Sequence, residues 1–145
     1  MNASPFTEIE PALSPDGQWL AYVSDETGRR EVYVRSMTGD AGKTPVSTNG
    51  GDEPRWARSG RELYYRTSDS LFAVPIASGR TITAGRPVEL FADRYRRNLH
   101  FQKYDVLPSG AGYVMLQNAS DLADAPTELR LVVNWPALSS PPSAP

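Results

Sequence analysis

Three stretches of this 145-residue chain repeat one pattern: LSPDGQWLAYVS around Gly17, WARSGRELYYRT around Gly60 and VLPSGAGYVMLQ around Gly110. Each reads as a short strand, a four-residue turn and a second strand of four to six mostly apolar residues. In Ser14-Pro15-Asp16-Gly17, Pro15 sets φ at the second turn position and Gly17 is free to take positive φ, while Asp16 suits a turn residue that accepts backbone N–H groups. The turn glycines lie roughly 43 and then roughly 50 residues apart. A period of that size marks one supersecondary unit per repeat, which buries its faces only by stacking on neighbours.

A third strand follows in each unit, at Glu31–Arg35, Leu71–Val74 and Glu128–Val133. The segments between units offer a fourth, outer strand near Val46 and at Val88-Glu89-Leu90. The second strands LAYV, LYY and YVML are apolar on both faces instead of alternating, as a sheet sandwiched between two others requires. With 13 Pro, 11 Gly and no long amphipathic helix, the fold class expected is all-β: three four-stranded antiparallel blades of a β-propeller over residues 1–136. Residues Ala3–Glu8 are expected to form a piece of outer strand, and the Pro/Ser-rich residues 137–145 a disordered tail. Leu20, Tyr22, Val32, Val34, Trp56, Leu63, Tyr65, Val114 and Leu116 are the positions expected between sheets.

The formal charge is −2, so a general electrostatic footprint for nucleic acid or anionic lipid is missing. The run Arg94-Tyr95-Arg96-Arg97 is a local exception, too short to track a phosphate backbone. No cysteine is present, which removes disulfides, thiolate nucleophiles and thiolate metal sites together. The N-terminus shows neither a basic nor an apolar signal region, and no run of about 18 apolar residues exists.

SPDGQWLAYVSDETGRREVYVRSM followed by STNGGDEPRWARSGRELYYR resembles the WD40-like, TolB-type propeller repeats at the C-terminal end of many bacterial eukaryotic-like serine/threonine kinases. The terminal ELRLVVNW is similar to the strand that closes those chains, so the resemblance runs from about Pro5 to Trp135. The third repeat departs from it, with Leu107-Pro108-Ser109-Gly110 in place of Ser-Pro-Asp-Gly. The resemblance implies a propeller fold without kinase chemistry, since the glycine-rich loop and the HRD and DFG elements are absent from the sequence. Without a signal region or an apolar span, a chain standing alone is expected in the cytoplasm, and an extracytoplasmic place is expected if it is part of a membrane-anchored kinase. Such propellers usually have six blades, so a homodimer of two three-bladed chains is expected to close the ring.

His100 is the one histidine. It reads either as a structural or surface residue or, near the innermost strand of the third unit, as a metal ligand or general base. Glu10, Asp52, Glu53 and Asp105 occupy comparable places, as rim carboxylates or as channel ligands. His100, Glu53, Asp105 and Glu10 are therefore the channel or metal candidates, for zinc or for calcium, which takes six to eight oxygen ligands. Ser14 and Ser59 belong to turns, and no G-x-S-x-G occurs. Two functions compete. One is a non-catalytic module, derived from a kinase-linked sensor or scaffold, that binds a protein or small molecule at its channel or rim. The other is a metal-assisted hydrolase of esters or phosphoesters whose channel site is assembled from two chains.

Overall fold

The computed structural model describes residues 5–38, 42–93, 104–110 and 112–116, together with the backbone of 131–133. It divides into two compact units, Met1–Asp93 and Arg94–Pro145, and each is described by itself. The boundary expected between residues 136 and 137, and the tail beyond it, lie outside the described residues.

In the first unit, β1 (Glu8–Leu13), β2 (Trp19–Ser24), β3 (Glu31–Ser36) and β4 (Lys43–Pro45) form one antiparallel sheet in that order. The second sheet contains β5 (Asp52–Trp56), β6 (Glu62–Arg66), β7 (Ser70–Ser78), β8 (Ile82–Ala84) and β9 (Val88–Ala92). In the second unit, β10 (Tyr104–Val106), β11 (Gly112–Met115) and β12 (Leu131–Val133) form a three-stranded antiparallel sheet. Every regular element among the described residues is a strand.

The second sheet departs from the four strands expected. Strand β7 is nine residues long and is flanked by two short strands, β9 alongside Ser70–Ala73 and β8 alongside Ile76–Ser78. Pro75 marks the handover: it is the last residue of β7 in register with β6, opposite Glu62. Proline has no N–H to continue a ladder, whereas its carbonyl accepts the amide of Gly85 at 2.8 Å.

All three turn glycines adopt one conformation, with φ of 72° at Gly17 and 70° at both Gly60 and Gly110. Each amide donates to the carbonyl three residues earlier, Ser14, Ala57 or Leu107, at 2.8–2.9 Å. The turn of the third repeat thus keeps its geometry without Ser-Pro-Asp-Gly, because the glycine carries the left-handed step. The first turn adds side chains: Asp16 accepts from the Ser14 hydroxyl at 2.6 Å and from the Gln18 amide at 3.0 Å. These bonds hold the Asp16 carboxyl below its ordinary value.

The N-terminal expectation needs correcting. Glu8 is the first residue of β1, paired with Ser24, and Thr7 exchanges hydrogen bonds with Asp25. The end of Ala3–Glu8 therefore leads into the first strand of the first sheet instead of standing as a separate outer strand.

A single apolar core joins the two sheets of the first unit. Trp19, Ala21, Val23, Val32 and Val34 from the first pack with Leu63, Tyr65, Val74 and Ile76 from the second. Alternation puts Tyr22 and Tyr33 on the opposite face of the first sheet, where Arg35 lies over Tyr22 and Lys43 over Tyr33, each about 5 Å from the ring centre. Four residues expected inside are not fully buried. Leu20 falls on the same face as Tyr22, and Trp56 ends its strand; both are half-buried. Val114 alternates with the buried Tyr113 and Met115. Leu116 follows the last residue of β11 and is 38% exposed.

Leu63→Ala, which empties a fully buried site, is expected to lower unfolding stability by about 2–5 kcal/mol. Leu116→Ala is expected to change it by less than about 0.5 kcal/mol. Urea denaturation of the two variants beside the parent chain checks both figures.

Candidate functional site

Glu-Pro occurs at the same place in two successive repeats, as Glu10-Pro11 and Glu53-Pro54, seven residues before the turn glycine in the case of each glutamate. Pro11 and Pro54 cannot donate to a ladder, so the inner strand must bulge around them. Between the pairs Ile9↔Val23 and Ala12↔Ala21, two residues of β1 face Tyr22 alone. Between Asp52↔Arg66 and Arg55↔Tyr64, two residues of β5 face Tyr65 alone. The first bulged residue turns left-handed, with φ of 54° at Glu10 and 52° at Glu53. That conformation is uncommon for any residue but glycine and costs about 1–3 kcal/mol.

The geometry brings the two glutamates together. A carboxylate oxygen of Glu10 accepts the backbone amide of Glu53 at 2.6 Å, tying the inner strand of one sheet to that of the next. The Trp56 indole N–H makes a second tie, to the Ala12 carbonyl at 3.0 Å. Burial pushes the Glu10 carboxyl above its ordinary value of 4.5; the Glu53 amide pulls the other way, and the carboxylates of Asp52 and Glu53 add to the rise. Arg30, 3.6 Å from Asp52, is the cation facing this group.

Behind Glu53 lies a fully buried guanidinium, Arg66. It donates to both Glu53 carboxylate oxygens, at 3.2 and 3.4 Å, and through Nε to Asp93, whose side chain is equally buried. The sequence reading missed Arg66 because an arginine at the end of LYYR looks like an exposed strand terminus. Register supplies the signal it lacked: Asp52 pairs with Arg66 as Ile9 pairs with Val23, so the arginine occupies an interior position.

A third polar knot holds the connection between the sheets. Buried Glu31 accepts from the Ser47 hydroxyl, the Gly50 amide at 2.9 Å and Arg29 Nε at 2.7 Å. Gly51 packs so closely here that a Cβ would stand 2.6 Å from Ser47 Oγ and 3.0 Å from Val32.

Of the residues singled out beforehand, Glu10 and Glu53 thus meet, with Asp52 beside them. Asp105 belongs to the second unit, is exposed, and caps the amide of Val106 at 2.8 Å. His100 and Arg94–Arg97 lie outside the described residues. Among the described residues no group of three or more His, Cys, Asp or Glu is disposed to hold a metal ion, and no helix is long and apolar enough to cross a membrane. The Ser14 hydroxyl donates to Asp16 and accepts the Trp19 amide at 2.9 Å, so it serves the turn.

No family model matches the sequence. Among solved structures, TolB from Acinetobacter baumannii superposes with a TM-score of 0.56 at 19% identity, over 79% of this chain and 28% of TolB. The fold is that of a TolB-like β-propeller. The chain spans well under a third of the TolB structure's own length.

Two outcomes follow from the site. Arg66→Met leaves Glu53 and Asp93 buried without their shared cation and is expected to cost about 3–5 kcal/mol in urea denaturation. Glu10→Gln keeps an acceptor for the Glu53 amide but removes a charge whose carboxyl sits above 4.5 in the folded chain. A raised carboxyl destabilises when ionised, and the penalty fades as pH falls through the raised value toward the ordinary one. Glu10→Gln should therefore be more stable than the parent at about pH 7 and indistinguishable from it at about pH 3.5, as read from denaturation midpoints at the two pH values.

Proposed function

We propose that the chain is a non-catalytic interaction or ligand-binding module on a TolB-type propeller, of the kind carried by kinase-linked sensors and scaffolds. Its partner binds where the inner strands bulge. The observation that carries this reading is the left-handed glutamate at one register position in two successive sheets. Strain of this kind persists only where its surroundings over-determine it, and it clusters at binding and switch sites. TolB-like propellers generally mediate protein interactions. Acidic groups at Glu10 and Asp52 fit a partner segment that offers lysine, arginine or free N–H groups, because fixed carboxylates favour donors and cations.

The competing hydrolase would hold zinc or calcium through His100, Glu53, Asp105 and Glu10. It requires Glu53 to exchange its two contacts with Arg66 for a metal, which would leave the buried guanidinium with one fewer carboxylate. We also propose that a second copy of the chain completes the ring, since closure removes the sheet faces that a partial propeller leaves uncovered.

Selection of a random peptide library on the immobilised full chain tests the binding reading. Enrichment of basic peptides is expected, together with its loss in Glu10→Gln/Asp52→Asn. Turnover of activated esters that chelation and His100→Ala both abolish, with no peptide enriched, would overturn it. Light scattering is expected to give the mass of a dimer; a monodisperse monomer would remove the proposed closure.

A further inference from the structure

A cleft of about 400 Å³ lies in the first unit. One wall is the Thr48–Gly50 connection between the sheets, and the other is the turn from Thr67 to Ser70. Tyr65, Phe72 and Pro87 also line it, and the two rings stack with centres 5.3 Å apart and planes 11° from parallel. The volume falls at the lower end of the range for small-molecule sites.

The ligand class follows from which polar groups are already engaged. The Thr67 hydroxyl is occupied by the Asp69 and Ser70 amides, and the Ser70 hydroxyl donates to Glu89 at 2.6 Å. Arg29 donates to Asn49 Oδ1 at 3.3 Å and to the Thr48 carbonyl. A guanidinium has no acceptor, so the Asn49 amide must turn its oxygen toward it and leave its NH₂ available. The groups still open to the cleft are therefore the Asn49 NH₂, the hydroxyls of Thr48 and Ser68, and the Asp69 carboxylate.

An anion would meet the Asp69 carboxylate, while the nearby cation, Arg29, is committed to Glu31 and the loop. A cation would leave the Asn49 donors opposed to it. A ligand that both donates and accepts without net charge, and that has an apolar face for the aromatic side, satisfies all of these groups. We propose that this cleft binds a neutral sugar residue. A pair of ring hydroxyls bridges Asp69 and Asn49, and the C–H face lies against Phe72 and Pro87. Burial of the Tyr65 hydroxyl pushes its pKa up to about 12, so that group remains a donor at any physiological pH. This site is separate from the acidic inner-strand site and stands or falls independently of the partner proposed there.

A sugar of about a dozen heavy atoms at about 0.3 kcal/mol per atom implies a Kd on the order of 1 mM. The test is saturation-transfer NMR and calorimetric titration of the intact chain with maltose, cellobiose and N,N′-diacetylchitobiose. Arginine amide and inorganic phosphate serve as charged comparisons. At least one sugar is expected to bind, and Asp69→Ala and Asn49→Ala are each expected to weaken it about tenfold. Both substitutions are at surface positions, and an unchanged denaturation midpoint shows that the fold is kept. Absence of saturation by every sugar, tighter binding of arginine amide or phosphate than of any sugar, or binding by both variants as tight as by the parent chain would each overturn the proposal.

Discussion

A proline has no amide hydrogen, and the inner strands of the first unit are arranged around that lack. Pro11 and Pro54 stand where a ladder bond would otherwise form, so each strand carries an extra residue and its glutamate turns left-handed. At Glu10 the result is a side chain that leaves its own sheet and accepts the backbone amide of Glu53. A defect in pairing within a sheet thereby becomes a bond between sheets. The apolar core holds the same two sheets together, but it does so without direction. The amide-to-carboxylate bond and the Trp56 indole fix which residues face each other.

Arg66 illustrates how two copies of one repeat diverge. In the first sheet the equivalent position is Val23, fully buried among apolar neighbours. In the second, the long side chain reaches Glu53 on the inner strand and Asp93, the residue just past β9, with its charged end wholly enclosed. Such a group adds little net stability over a well-packed apolar one, yet it is costly to break. Its effect is to make the spacing of inner and outer strands specific, because a guanidinium fork accepts carboxylates only in a few orientations.

The sequence shows the turns and strands plainly, since their chemistry is local: glycine takes the left-handed step, and apolar runs of four to six residues mark strands beside it. Even the aberrant Leu107-Pro108-Ser109-Gly110 folds as the others do, because glycine supplies the one conformation the turn cannot do without. The bulges were not legible, because Glu-Pro at the start of an inner strand reads as a strand ending. Strand β8 escaped notice because Ile82-Thr83-Ala84 is too short to show alternation. Leu116 was misplaced for the opposite reason: it continues an apolar run after the sheet has stopped. At the site, Glu10, Asp52 and Glu53 could be picked out by type and position, whereas their contact depends on a register that no single repeat reveals.

The order β1-β2-β3-β4 and its counterpart in the second sheet bear on how the first unit assembles in time. Each strand pairs with a near neighbour in the chain, and the widest pairing joins Ser70 to Ala92. All-β proteins fold slowly when their strands come from distant parts of the chain, since loop closure must precede any gain from pairing. Here every ladder closes a short loop, and the β1-β2 and β5-β6 hairpins zip from a preset glycine turn. Forming the sheets is the quick step, on the microsecond scale of hairpin formation. The barrier then belongs to their docking, when Glu10 must find the Glu53 amide and Trp56 the Ala12 carbonyl.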